Sequence, residues 1–176
     1  DDEDQPVLAG SGVIGRFAYT GRMPVGYFRD EAKTAATFKI VGGVRHSFTG
    51  DFATVESDGR IAILGRGSAC INTGGEKVYP EEVEEVLKRD SAVADVAVLG
   101  VPDERFGERI VAAVQVAQGH SLHGDRLTEL VRSELAPYKA PRQYVSVAEI
   151  PRGPNGKVDA QLLRPAVLKQ LEDPAA

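Results

Sequence analysis

The sequence predicts an α+β chain in two parts: a strand and a β-hairpin come first, and a small domain of a few short strands with flanking helices follows. Two runs that alternate apolar and polar residues, 52–56 and 60–64, flank Ser57-Asp58-Gly59. Asp-Gly between such runs is a strong hairpin signal, because its positive-φ positions suit the twist of the strands. Further along, apolar residues at helical spacing alternate with short β-branched runs, which predicts helices and strands in turn.

The first part contains three other predicted segments. Residues 13–20 have strand-like composition, residues 23–30 carry the Pro and Gly of a loop, and residues 31–38 suit a short helix. After the hairpin, residues 65–75 are rich in small side chains and show no period. They are interpreted as a loop or hinge.

The second part opens with a helix that begins at Pro80, since proline presets φ in a first turn and the following glutamates favour the positive end of the helix dipole. Val83, Val86 and Leu87 form its apolar stripe. The rest of the pattern predicts strands at 93–99, 109–117 and 143–147, and helices at 122–135 and 160–171, the last broken at Pro165.

Composition excludes several classes of function. The 176 residues are 42% hydrophobic and carry a net charge of −5, which argues against nucleic-acid binding through a basic surface. No apolar run approaches the roughly 20 residues of a transmembrane helix and nothing resembles a signal peptide, so we expect a cytoplasmic protein. The lone Cys70 and the histidines His46, His120 and His123 have no metal-site spacing, and no metal site is predicted.

Two segments around the hairpin could bind a nucleotide or a phosphate. In Thr49-Gly50-Asp51 the carboxylate could accept from a pair of hydroxyls, as on a ribose, or it could be an ordinary turn residue. Downstream, adjacent glycines at 74 and 75 let a backbone approach a ligand closely, and Lys77 could meet a phosphate. The alternative for this second segment is an interdomain linker with a tight turn.

Two further segments lie in the second part. Residues 135–141, LAPYKAP, contain two prolines that fix an extended stretch, where Tyr138 is interpreted as a packing residue. Residues 151–157, PRGPNGK, place Lys157 on a stiff Pro/Gly loop. A cation there suits developing negative charge on a phosphate or carboxylate, and the alternative is a solvated turn lysine.

Taken together and in order, the four segments resemble the C-terminal motifs of the adenylate-forming superfamily, which includes acyl-CoA synthetases, firefly luciferase and the adenylation domains of peptide synthetases. The resemblance runs from residue 15 to residue 164. It rests on TGD, on GR followed by GGEKVYPEEVEE, on PYKAP and on P-x-x-x-x-G-K, which are jointly very specific. GGEKVYPEEVEEVL with GVPDERFGERIVAAV most resembles CoA synthetases of fatty acids and of related medium or bulky acids.

The resemblance implies roles in nucleotide binding for three residues. Asp51 matches the aspartate that binds the ribose hydroxyls of ATP and of the acyl adenylate. Arg66 matches an arginine close to the same nucleotide. Lys157 matches the catalytic lysine that holds the α-phosphate and carboxylate oxygens during adenylation.

It also implies a coenzyme A face and a hinge. Gly74, Gly75 and Lys77 match the loop that lines the pantetheine tunnel after the small domain has rotated, and Ser68 falls at the hinge position. The hinge residue is commonly Asp or Lys in the superfamily, and the position of Asn72 is often Lys. These two departures put the hinge energetics in doubt and remove one cation near the adenylate.

The resemblance further implies that residues 1–65, with the hairpin at 52–64, end a large N-terminal domain and that residues 66–176 form the mobile C-terminal domain. The expected ligands are a carboxylic acid, ATP with Mg²⁺, and coenzyme A. The phosphate loop and the acyl pocket belong to the large domain, so we expect this chain to be inactive by itself. The alternatives are a stand-alone binding or regulatory module and a ligase that loads an acyl carrier protein.

Overall fold

The computed structural model describes residues 1 and 3–172, apart from the side chain of Ser68. It divides into two compact units, Asp1–Ala69 and Cys70–Ala176. Each contains a sheet, and helices occur in both, which confirms the predicted α+β class.

The first unit is built around one long strand. Its elements are β1 (Gly15–Tyr19), α1 (Glu31–Thr37), β2 (Phe38–Val41), β3 (Val44–Val55) and β4 (Ile61–Arg66). All strand pairs are antiparallel. β1 lies along one edge of β3, and β2 and β4 share the other edge.

The predicted strand, short helix and hairpin of this unit are confirmed. The sequence prediction missed β2, and it began β3 too late. The reason is a second hairpin, in which Gly42 and Gly43 turn the chain with φ of 58° and 79°. β2 has only four residues, so it is too short to show a period of its own.

The first unit buries little apolar surface. Ala53 is buried, but large apolar side chains before β1, in the loop between β1 and α1, and on every strand stay exposed. Among them are Leu8, Val13, Val25, Phe28, Ile40, Val44, Ile61 and Ile63.

The second unit has a five-stranded sheet of β5 (Ile71–Thr73), β6 (Glu76–Val78), β7 (Val93–Asp103), β8 (Gly107–Val116) and β9 (Gln143–Val147). β7 and β8 form a long antiparallel pair, and β9 runs parallel to β8. The β5–β6 hairpin joins the sheet where Thr73 of β5 pairs with Gly107, the first residue of β8.

Helices cover both faces of this sheet: α2 (Pro80–Leu87) and α3 (Gly124–Glu134) cover one, and α4 (Ala160–Glu172) covers the other. Successive strand residues point to opposite faces, so β7 and β8 contribute alternately to two cores. The first core contains Val83, Leu87, Val96, Val98, Ile110, Ala112, Val114, Leu127 and Val131. The second contains Ala97, Leu99, Val111, Ala113, Val145, Leu163 and Val167.

The helices and longer strands of this unit match their predictions, with two corrections. Residues 65–75 were expected to form a loop or hinge, but residues 71–75 belong to the β5–β6 hairpin, whose three-residue strands are too short to show alternation. The expected break at Pro165 is wrong, because α4 runs through it. The proline is exposed, while Leu163 and Val167 on the inner face are buried in the core and hold the helix together.

Candidate functional site

Asp51 and Arg66 lie opposite each other on β3 and β4 and form an ion pair. Arg66 Nε donates to Asp51 Oδ1 at 3.2 Å. The strand is irregular here: the β1–β3 register shifts between Arg16 and Ala18, and Gly50 has φ of 83°. Because few residues other than glycine adopt that φ, the TGD segment specifies this bulge.

The Asp51 carboxylate keeps capacity for a ligand. A carboxylate has about four lone-pair positions, and within the described residues its oxygens accept only from Arg66. Its side chain is 26% exposed and that of Arg66 is 54% exposed. A pair of vicinal hydroxyls could therefore reach the aspartate while the arginine fixes its orientation.

Gly74 and Gly75 form the two-residue turn of the β5–β6 hairpin, with φ of 60° and 88°. Such a turn needs positive φ at both positions, which is why glycine occupies both. Gly74 N–H donates to Phe106 O at 2.9 Å, and a Cβ at Gly74 would lie 3.2 Å from the Phe106 ring. A Cβ at Gly75 would meet nothing within 4 Å, so this side of the turn is open to a ligand.

Lys77 follows that turn on β6, paired in register with Asn72. Its side chain is exposed, and it makes no ion pair with any residue that the structure describes. The turn and the lysine together present an open backbone and a cation on one hairpin.

Lys157 lies in a small hairpin between β9 and α4. Arg152 and Val158 pair as an isolated antiparallel bridge, and Gly153 N–H donates to Lys157 O at 2.8 Å. Gly156, with φ of 76°, donates its N–H to Gly153 O at 2.9 Å. The Lys157 side chain is exposed and makes no ion pair within residues 1 and 3–172.

Arg152 ties this hairpin to the sheet. Its Nε and Nη2 donate to Asp95 Oδ2 and Oδ1 at 2.9 and 2.8 Å, and its Nη1 donates to Gly156 O at 2.9 Å. The guanidinium lowers the pKa of Asp95 below its ordinary value, and the carboxylate raises the pKa of Arg152. Both groups therefore stay charged at neutral pH.

Glu84 of α2 lies in the same electrostatic neighbourhood. Its Oε1 accepts from Val98 N–H at 2.8 Å, on the edge of β7 that no strand covers. Burial raises the pKa of this carboxyl, against the opposing effects of the Val98 hydrogen bond, Lys88 and Arg152. It acts as a cap for the strand edge.

The PYKAP segment is tied to the start of α2 by Lys139, a contact that the sequence did not predict. Lys139 Nζ donates to Glu82 Oε2 at 2.6 Å, and both side chains are largely buried. Glu82 also accepts from Tyr79 N–H at 3.2 Å at the start of α2. Tyr138, which was expected to pack, is 44% exposed, because Ala140 rather than the tyrosine enters the core.

The predicted site residues fall in separate places. Asp51 and Arg66 meet in the first unit. In the second unit, the Gly74–Lys77 hairpin and the Lys157 hairpin are different loops. Sequence reasoning missed Asp95 and Glu82, because each partner is 57 residues away along the chain.

Other reactive groups give no further site. Among the described residues, no three or more His, Cys, Asp or Glu side chains are grouped as metal ligands. Burial raises the pKa of the Cys70 thiol, which disfavours a reactive thiolate. None of the described helices has the length and apolar character needed to cross a membrane.

A family model matches much of the second unit. Residues 82–157, from the first turn of α2 to Lys157, match the AMP-binding enzyme C-terminal domain. This part of the chain is similar to the C-terminal domain of AMP-binding enzymes. This confirms the resemblance to adenylate-forming enzymes on which the predicted residue roles rest.

The sequence relatives of this chain are named as CoA ligases. It is 54% identical over 159 residues to a 3-oxocholest-4-en-26-oate–CoA ligase of Rhodococcus rhodochrous, covering 90% of this chain and 29% of that protein. A medium/long-chain-fatty-acid–CoA/3-oxocholest-4-en-26-oate–CoA ligase of Mycobacterium tuberculosis is 50% identical with the same coverage. The chain thus spans less than a third of the length of these curated relatives.

Solved structures of other enzymes have a similar fold over most of this chain. An amide bond synthetase from Marinactinospora thermotolerans matches with a TM-score of 0.81 and 34% identity, covering 94% of this chain and 33% of that one. The o-succinylbenzoate CoA synthetase of Bacillus subtilis, in complex with an acyl-adenylate intermediate, matches with a TM-score of 0.76 and 29% identity. That match covers 87% of this chain and 31% of the synthetase.

Proposed function

We propose that this chain is the C-terminal part of an AMP-forming carboxylic acid–CoA ligase. The supporting observation is the 54% identity to a CoA ligase along 90% of the chain. The complete enzyme would first join the acid to ATP, giving acyl-AMP and pyrophosphate. The thiol of coenzyme A would then attack the adenylate, giving acyl-CoA and AMP.

In this proposal Asp51 and Arg66 hold the nucleotide. The free acceptor positions of the Asp51 carboxylate suit the two ribose hydroxyls of ATP and acyl-AMP, and Arg66 fixes the carboxylate at 3.2 Å. Magnesium enters as the counter-ion of the ATP phosphates.

Lys157 serves the first half-reaction. Negative charge builds on the α-phosphate and the attacking carboxylate as pyrophosphate leaves, and a cation placed there stabilises the transition state more than the ground state. The exposed lysine of a short, hydrogen-bonded hairpin suits that role.

Gly74, Gly75 and Lys77 serve the second half-reaction. The open side of the Gly74–Gly75 turn allows an extended chain such as pantetheine to approach the backbone. Lys77 adds a cation for the negatively charged coenzyme.

The two units take different parts in this scheme. Residues 1–65 would close the large N-terminal domain, and residues 66–176 would rotate about Ser68 between the half-reactions. Ala53 is the one buried apolar side chain among the described residues of the first unit, which supports its membership of a larger domain, since a domain normally has its own hydrophobic core. The cytoplasm, where ATP and coenzyme A occur, is the proposed location.

The proposed substrates are bulky or long-chain carboxylic acids. The relatives that are 50–54% identical to this chain are named for 3-oxocholest-4-en-26-oate, and several also for medium- and long-chain fatty acids. The acyl pocket would lie in the N-terminal domain, so the proposal for the acid rests on those relatives alone.

The test separates the two half-reactions in the complete protein. Pyrophosphate exchange with ATP is measured with a steroid acid and with fatty acids of several lengths. Transfer of the acyl group is then measured to coenzyme A, to a phosphopantetheinyl carrier and to an amine. We expect exchange, followed by transfer to coenzyme A, and preferred transfer to the carrier or the amine would contradict the ligase proposal.

The 176-residue chain is the matched control. We expect it to show no exchange with any of these acids, because the phosphate loop and acyl pocket are proposed to lie elsewhere. Pyrophosphate exchange by this chain alone would show that adenylation does not need a separate N-terminal domain, and it would favour a self-contained enzyme.

A further inference from the structure

We infer that Arg152 and Asp95 form a positioning pair that holds Lys157 ready for adenylation. The inference rests on the proposed function, because it concerns how that lysine is presented. Neither residue is expected to touch the substrate. Their effect would pass through the backbone of the Lys157 hairpin.

The planar guanidinium of Arg152 connects strand β7 to the Lys157 hairpin. Two of its N–H groups make a bidentate contact with the Asp95 carboxylate, at 2.8 and 2.9 Å. A third, on Nη1, donates to the Gly156 carbonyl at 2.9 Å. The guanidinium is planar, so fixing one edge on Asp95 also fixes the direction of the remaining donor.

The anchored carbonyl belongs to the residue directly before Lys157. The rest of the hairpin depends on few bonds: Gly153 N–H to Lys157 O at 2.8 Å, Gly156 N–H to Gly153 O at 2.9 Å, and Lys157 N–H to Asn155 Oδ1 at 3.2 Å. All three bonds lie within the hairpin, so they shape it without fixing it to the sheet.

Asp95, the partner of Arg152, lies in a well-packed part of the sheet. Asp95 lies near the start of β7, on the face that Ala97 and Leu99 share by alternation and that α4 covers. Two residues before Arg152, Ile150 is also buried in this core, so the chain that leads into the hairpin is held as well. The pair thus connects the packed sheet to the exposed loop that carries Lys157.

Positioning of this kind has a large effect on rate. A reacting group displaced by about 1 Å can lose on the order of 10²-fold in rate, because charge stabilisation depends on preorganised geometry. An ion pair at the protein surface that served only stability would contribute little. The hydrogen bond from Arg152 to the Gly156 carbonyl favours positioning over a purely stabilising role, because it fixes the backbone next to Lys157.

The experiment replaces Arg152 with lysine in the complete ligase. Lysine keeps the charge beside Asp95, but its single ammonium lacks the planar fork that spans both partners. We expect adenylation to fall about 10²-fold. Thioester formation from separately supplied acyl-AMP should be unchanged. Asp95→Asn should give a similar, smaller selective loss.

The matched control is Arg89→Lys. Arg89 forms an ion pair with Glu134 in the same unit, between the end of α2 and α3. Its hydrogen bond goes to Glu134 and none goes to the Lys157 hairpin in the described structure. Both half-reactions should stay normal in this variant.

A second measurement does not depend on activity. Hydrogen exchange of the complete protein should show faster exchange across residues 153–157 in Arg152→Lys, with the amides of β7 and β8 unchanged. Equal protection of the hairpin in both proteins would overturn the positioning pair, as would an equal fall in both half-reactions.

Lys157→Ala, tested in parallel, separates this inference from the proposed function. If Lys157→Ala loses adenylation while Arg152→Lys retains it, the positioning pair is wrong and the ligase proposal stands. If both retain adenylation, the proposed role of Lys157 fails and the functional part of the inference fails with it.

Discussion

Lys157 and Lys77 are chemically alike and are proposed to act in different half-reactions. Each is exposed, each lies in a hairpin whose turn has positive-φ glycine, and neither forms an ion pair among the described residues. Residue chemistry alone cannot distinguish them. The difference lies in which hairpin would face the reacting atoms at each step.

Crossed alanine variants of the complete ligase test this assignment. Lys157→Ala should lower acyl-AMP formation by about 10²–10³-fold, since it removes one preorganised donor. Thioester formation from supplied acyl-AMP should stay near normal. Lys77→Ala should give the reverse pattern with a smaller loss, and equal effects of the two variants on both steps would refute the separation of roles.

Glu84 gives a prediction on pH and stability. Burial raises its pKa above the ordinary value of 4.5, so the folded chain binds the proton more tightly than the unfolded chain does. Stability contributed by this group is therefore present below pH 4.5 and falls as the pH rises through the raised pKa. Glu84→Gln keeps an oxygen for Val98 N–H and removes the buried charge.

We accordingly expect Glu84→Gln to unfold at a higher temperature than the wild type at pH 7. The difference should shrink at pH 4, where the wild-type carboxyl is mostly protonated in both states. Thermal unfolding by circular dichroism at the two pH values measures this. A difference between Glu84→Gln and the wild type that is the same at both pH values would contradict the burial argument.

At the residue scale, the sequence could point to candidate site residues only where they lie within a short local motif. Asp51, Arg66 and Lys157 stood out because each lies within a short motif. Asp95 did not, since its role depends on Arg152, and the sheet that brings them together cannot be read from local spacing. For Tyr138 the local motif gave a wrong prediction. An aromatic residue between two prolines suggests packing, but Tyr138 is exposed in the fold.

Among the elements, α4 shows how tertiary packing overrides a local signal. Pro165 lacks the N–H that would bond to the Gln161 carbonyl, which locally favours a break. Leu163 and Val167 are both buried on one face, and their packing keeps the helix continuous across the proline. The proline thus remains as a local cost within a helix held by its core contacts.

Pro165→Ala should therefore stabilise the domain. Alanine restores the missing hydrogen bond, and proline is about 3 kcal/mol less favourable than alanine inside a helix. Greater freedom of the unfolded chain offsets about 0.4–1 kcal/mol of this. We expect a net gain of about 2 kcal/mol in the free energy of unfolding by urea, with Gln170→Ala as an exposed control that changes little. Destabilisation by Pro165→Ala would show that the ring itself packs.

Short elements limited the prediction of the fold. The long strands β7 and β8 and the helix α3 could be predicted because each extends over several repeats of its period. β2, β5 and β6 could not, since strands of three or four residues are specified by their partners and by turns such as Gly74-Gly75.

At the scale of the whole molecule, the connection between the two units is short. A Cβ on Gly67 would lie 2.6 Å from the Phe52 ring, so this residue is closely packed within the first unit. Ile71 is buried in the core of the second unit. Between these attachments the chain has only residues 68–70, and Ser68 lies in the 3-10 helix Gly67–Ala69. These contacts support the proposal that the pivot of domain rotation lies there.

Ser68→Pro in the complete ligase tests that pivot. Proline holds φ near −65°, a value that a 3-10 helix accepts, so the fold should tolerate it while the change of φ needed for rotation is hindered. Adenylation precedes the rotation and should survive in a single turnover. Thioester formation requires the rotation and should fall sharply. Ser68→Ala leaves the backbone free and should keep both steps, whereas an equal fall of both steps in Ser68→Pro would show that the pivot lies elsewhere or that the substitution damages the fold.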